Sequence, residues 1–130
     1  MVVPDKRFTW ERERPAVPVE HLLEDFKRQT SQSDRTHIDE FIGSLVWEEF
    51  KPGGTEDERE DYRRRLHQAV DQGLDINIHF HAFLPDTGRE IIKAVNRVTA
   101  SGKTLELVDL EERFPSDCPN GLLMVLKVTG

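Results

Sequence analysis

An α/β layered domain is the fold class that this sequence predicts, and three observations predict it. Apolar residues recur at helical spacing in four separate stretches, opened by caps or proline and closed by glycine or polar breaks. Three further segments, residues 76–80, 105–110 and 122–128, have strand character, and residues 1–4 add a short fourth. Helices lie between these extended segments, which favours helices layered on a sheet over a helical bundle.

Each element has a local reason. Pro4 suits the end or edge of the opening strand. The charged residues 5–17, with Pro15 and then Pro18, read as a loop, and Pro18 fits the first turn of a helix reaching about Gln29. Leu22, Leu23 and Phe26 make its narrow apolar face. Ser31, Gln32, Ser33 and Asp34 break that helix and offer caps for a second, whose stripe of Ile38, Phe41, Ile42, Leu45 and Val46 runs to about Phe50. Pro52-Gly53-Gly54 stops it. Thr55 and Glu58 form a capping-box pattern for a third helix packing through Tyr62, Leu66, Ala69 and Val70, with Gly73 as its terminator. Ile76, Ile78 and Phe80 alternate with Asn77 and His79 in a strand. Thr87 and Glu90 then suggest a second capping box, opening a helix to about Ala100. Residues 111–121 are too long for a tight hairpin between the last two strands, and Pro115, Pro119 and Asn120-Gly121 mark turns within them.

Composition narrows the function. The 130 residues suit one domain, and seven Phe and two Trp supply material for a core. A net charge of -7, spread along the chain, argues against nucleic-acid binding by phosphate neutralisation. Cys118 is the only cysteine, which excludes an internal disulfide framework and fits a reducing compartment. No stretch approaches the roughly 20 apolar residues needed to span a bilayer. A cytoplasmic protein with no membrane partner is expected.

Two groups of residues carry candidate chemistry. His79 and His81, two apart on a strand, are expected on one face, and His21 and Asp25 share a helix face at i and i+4. Imidazoles with a carboxylate suit acid–base work, so His79, His81, His21 and Asp25 are the catalytic candidates. With no compact third-ligand motif in the sequence, no metal ligand is assigned. His37 and His67 read as structural or solvent-facing, and Cys118 as an ordinary thiol. The second group is Asp5, Lys6, Arg7 and Arg14, with Trp10 beside them: the cations suit a phosphate or carboxylate, hence a small anionic metabolite.

The opening Pro4-Asp5-Lys6-Arg7-Phe8-Thr9, with Arg14-Pro15 and Glu20-His21-Leu22-Leu23-Glu24-Asp25, resembles a subgroup of bacterial class I S-adenosylmethionine-dependent methyltransferase-like domains. Ile76-Asn77-Ile78-His79-Phe80-His81-Ala82-Phe83-Leu84-Pro85 and Gly121-Leu122-Leu123-Met124-Val125-Leu126-Lys127 are similar to later segments of that subgroup. The resemblance spans nearly the whole chain and implies a partial methyltransferase-like mixed sheet with flanking helices, lacking the N-terminal cofactor-binding half. Met1-Val2-Val3 would end the fifth strand, and residues 105–110 and 122–128 would be the sixth and seventh. The resemblance also puts the opening loop near the cofactor and substrate end of the sheet, with Asp5 on the cofactor side and Lys6, Arg7, Arg14 and Trp10 on the substrate side. The residues themselves agree on the omission, since no strand–loop–helix carries a G-x-G-x-x-G cradle.

The functional expectation is therefore a methyltransferase-derived accessory or substrate-recognition protein, not catalytic alone. S-adenosylmethionine would bind only where a partner completes the site. A small histidine-dependent acid–base enzyme or metal-binding protein is the alternative, and a partner-dependent methyltransferase component is another. The bare edge expected near Met1 to Val3 predicts a homo-oligomer or a complementary chain.

Overall fold

The computed structural model describes residues 1–99 and 102–130. Its elements are β1 (Val2–Pro4), α1 (Val19–Arg28), α2 (Ile38–Ser44), α3 (Trp47–Phe50), α4 (Glu56–Asp71), α5 (Pro85–Val98), β2 (Thr104–Phe114) and β3 (Gly121–Thr129). A single 3-10 turn, Lys6–Phe8, follows β1. The fold is mixed α/β: five helices and a three-stranded sheet in the order β1-β3-β2.

The sheet corrects one expectation. Both strand pairs are antiparallel, so it is not mixed; the parallel component is an isolated bridge between Asp5 and Phe83. β2 and β3 are longer than their apolar runs suggested, and two irregularities in register, between Leu107 and Asp109 and between Glu112 and Phe114, let them stay paired. Arg113 takes φ of 61° at the second. Gly121 opens β3 where a Cβ would lie 2.8 Å from the Phe114 carbonyl oxygen, so only glycine fits that approach.

The segment carrying His79 and His81 is extended but is not a strand of the sheet. Its backbone bonds to loops and side chains instead. Ile76 N–H donates to the Gln32 carbonyl, the Ala82 carbonyl accepts from Val17 N–H, and the Phe83 carbonyl accepts from Lys6 N–H. The Arg14 guanidinium donates to the carbonyls of His79 (2.6 Å) and Phe80 (2.5 Å). The alternation of Ile76 and Ile78 still buries both.

Three helix boundaries also move. The stripe from Ile38 splits into α2 and α3 because Leu45 turns extended and Val46 N–H donates to the Trp10 carbonyl. α5 starts at Pro85, a first-turn proline, so Thr87 lies buried inside the helix and caps nothing. Gly88, unfavourable by propensity, is buried where its missing side chain admits Met124 of β3. The capping box of α4 is as expected: Thr55 Oγ1 accepts from Glu58 N–H, and the Glu58 carboxylate accepts from Thr55 N–H.

Two apolar clusters form the core. Ile38, Phe41, Ile42, Leu45 and Leu66 of the helical half meet Ile76 and Ile78 in one. Val17, Phe83 and Leu122 form the other at the sheet. The chain from Ile78 to Phe83 joins the two, and His79 and His81 lie on that join. Thr55→Ala removes one side of the capping box and is expected to cost about 1 kcal/mol. Urea unfolding should show this as a lower midpoint at unchanged slope.

Candidate functional site

α1, the residue before α2 and the 76–83 segment bring four side chains together. His21 and Asp25 stand one turn apart on α1, as the i,i+4 spacing predicts. His37 immediately precedes α2, whose Ile38 is fully buried, so the start of that helix carries the imidazole into the interior. His81 comes from the irregular segment. The Asp25 Oδ2 atom lies 2.7 Å from His81 Nε2, 3.1 Å from His37 Nε2 and 3.3 Å from His21 Nε2, while His21 and His37 Nε2 are 2.9 Å apart. The four donor atoms all fall within 4.8 Å of one another.

The surroundings fix the orientation of each group. Asp25 Oδ1 accepts from Arg28 (2.5 Å) and Thr30 (3.2 Å), which leaves Oδ2 to the imidazoles. Burial pushes the Asp25 carboxyl up, but hydrogen bonds from Arg28 and His81 outweigh it and hold it down at about 2. It is a carboxylate at neutral pH. Burial lowers the His37 and His81 imidazoles, which favours their neutral forms, the forms that coordinate metals.

The tautomer of His37 follows from its neighbours. Thr36 Oγ1 donates its one hydrogen to Asp34 and lies 3.0 Å from His37 Nδ1. That hydroxyl has only lone pairs left for the ring, so Nδ1 carries a proton, and in the neutral ring that burial favours Nε2 is bare. A bare nitrogen thus faces a carboxylate oxygen at 3.1 Å. Two acceptors at this distance repel unless a cation lies between them. His21 can donate to His37 Nε2 and His81 to Asp25 Oδ2, yet neither bond places a positive centre between His37 and Asp25.

The site opens on an irregular cleft of about 780 Å³ lined by Asp25, Phe26, Gln29, Thr30, Phe80 and His81, among others. A smaller cavity of about 140 Å³ touches His21 and His81 from the other side, beside Arg14 and Glu40.

The sequence candidates divide here. His21, Asp25 and His81 converge, and His79 does not join them: its Nδ1 is hydrogen-bonded to the carboxylate of Glu11. His79 and His81 diverge because their segment is not a flat strand. His37, read from the sequence as structural, is a full member of the cluster. The signal was its place at the head of the most buried apolar stripe in the chain. His67 contacts exposed Asp39, and Cys118 is exposed.

The two arginines of the cationic group are drawn into internal ion pairs. Asp5 is fully buried and accepts from the backbone and guanidinium of Arg7, capping the 3-10 turn; Arg7 also pairs with Glu112. These carboxylates push the Arg7 guanidinium further up. Arg14, also buried, is committed to Glu40 and two carbonyls. Lys6 is half-buried with its N–H on Phe83, and Trp10 packs edge-on against Phe50. Asp5, Lys6, Arg7, Arg14 and Trp10 are therefore a brace between the opening loop and the rest of the fold.

No family model, curated protein or solved structure matches the chain. Arg14 sets the path of the segment that carries His81. Arg14→Met strands two part-buried carbonyls and is expected to destabilise the protein by on the order of 3 kcal/mol, measured by urea denaturation.

Proposed function

We propose that this protein is a metalloprotein in which His21, Asp25, His37 and His81 hold one divalent transition-metal ion of the zinc class. The observation that carries the reading is the bare His37 Nε2 facing the Asp25 carboxylate, with two further imidazole nitrogens around the same oxygen. Zinc takes histidine nitrogen and carboxylate oxygen at about 2.0–2.2 Å in a tetrahedron, which puts donors roughly 3.3 Å apart. Four of the six donor separations are 2.7–3.3 Å and all lie within 4.8 Å, so closing them round a tetrahedral ion takes shifts of roughly 0.5–1.5 Å.

The ion would do two things. It would tie α1 to the start of α2 and to the 76–83 segment, so binding and folding are coupled. It would also face the cleft, where Asp25 and His81 are part of the wall. Asp25, held through Oδ1 by Arg28 and Thr30, binds through one oxygen, which leaves room for a ligand from the cleft in an expanded coordination sphere. A metal-dependent role on a small molecule in that cleft is the resulting function.

The methyltransferase-derived reading is compatible with this centre and has its own support. β3, the last strand, lies between β1 and β2, and β1 is an edge strand beside an apolar groove lined by Met1, Val3, Leu22, Phe26, Ile91 and Val95. A complementary chain or second copy pairing along β1 would complete such a sheet. In this reading the chain recognises substrate, and S-adenosylmethionine binds only in the completed assembly. Calorimetry on the chain alone is expected to show no tight one-to-one S-adenosylmethionine binding; tight binding contradicts this reading and leaves the metal centre untouched.

For the metal centre, the chelator-treated protein is expected to take up one equivalent of Zn²⁺ and to melt several degrees higher with it. Binding at a hundredfold excess over Kd adds about 2.7 kcal/mol. His21→Ala, at the most exposed ligand, should weaken binding at least tenfold while the apo fold survives, and Asp25→Asn should weaken binding at least as much with some loss of apo stability. Unchanged zinc stoichiometry and affinity in both variants overturns the assignment.

A further inference from the structure

A second polar group is buried away from the metal centre. Glu11 is 1% exposed. Its Oε1 is hydrogen-bonded to His79 Nδ1, and its Oε2 has no hydrogen-bond partner among the described residues. A buried carboxylate oxygen without a donor carries a desolvation cost that a donor-bearing ligand would relieve. Glu11 and His79 line a cavity of about 280 Å³ together with Trp10, Phe50, Tyr62 and Asn77.

The cavity has the chemistry of a cation site. None of its lining residues is Lys or Arg, so its one acidic group faces no fixed cation from the wall. Its walls are aromatic: Trp10 stands at 80° to Phe50 with ring centroids 5.4 Å apart, making a corner, and Tyr62 lies 5.6 Å beyond Phe50. Aromatic faces attract ammonium groups, and indole does so best. A metal ion fits less well, because a closed site needs about four donors and the wall offers one carboxylate and one imidazole. The volume limits the ligand to roughly a dozen heavy atoms.

We propose that this cavity binds a small alkylammonium ion, with the ammonium N–H donating to Glu11 Oε2 and the alkyl part against Trp10, Phe50 and Tyr62. His79, hydrogen-bonded to Glu11 Oε1, leaves Oε2 as the carboxylate oxygen still without a donor. This site is separate from the metal centre: His79 and Glu11 are not among the metal's donors.

The test is an NMR titration of the zinc-loaded protein with isobutylammonium chloride, with isobutanol as the neutral isostere and sodium chloride as the ionic-strength control. Saturable shifts are expected at the Trp10 indole N–H and at His79, with isobutanol at least tenfold weaker. Glu11→Gln should weaken the ammonium at least tenfold without altering zinc stoichiometry. Should Glu11→Gln fail to fold, Trp10→Leu, at a half-exposed position, provides the second variant, with an expected loss of about fivefold. Equal binding of isobutanol, absence of saturable shifts at Trp10, or full affinity in the folded variant overturns the proposal.

Discussion

The Asp25 carboxylate is the constraint around which the rest of the site is arranged. It is buried and ionised, so each of its oxygens must be matched by donors or cations. Oδ1 meets this locally, through Arg28 one turn on and Thr30 just past the helix end. Oδ2 meets it at long range through His81, with the His37 and His21 imidazoles gathered round the same oxygen. One carboxylate thus fixes the relative positions of α1, the head of α2 and the segment between the two apolar clusters.

Arg14 does the complementary work on the backbone. The His79–Phe80 stretch has no neighbouring strand, so its carbonyls would be left without donors in the interior. A buried guanidinium supplies them and pairs with Glu40 outward. This bends the segment so that consecutive histidines face different sites. His81 turns to Asp25 and His79 to Glu11. The two histidines are separated by the choice of a side chain, rather than a strand, as the hydrogen-bonding partner.

Much of this was legible in the sequence. The α4 capping box, the strand character of residues 105–110 and 122–128 and the sharing of a face by His21 and Asp25 all follow from local spacing, which sequence displays directly. The rest depends on long-range contacts. Alternation at Ile76 and Ile78 announced an extended buried segment, but could not show that Arg14, more than sixty residues earlier, would replace a strand. His37 looked like a polar residue among Asp34 and Asp39, because its burial is imposed by the helix that follows. Glu11 sits in a run of charges, Glu11-Arg12-Glu13-Arg14, where nothing local separates the buried members from the exposed ones. The opening cations looked like an anion site because their internal partners, Asp5, Glu40 and Glu112, are matched to them only by the fold.

The proposed metal centre is tested most directly by X-ray absorption at the zinc edge on protein loaded with one equivalent of Zn²⁺. The proposal predicts three imidazole nitrogens and one carboxylate oxygen at about 2.0–2.2 Å from the ion, with one imidazole lost in His21→Ala. A spectrum of water oxygens with one or no imidazole, unchanged by that substitution, would contradict it.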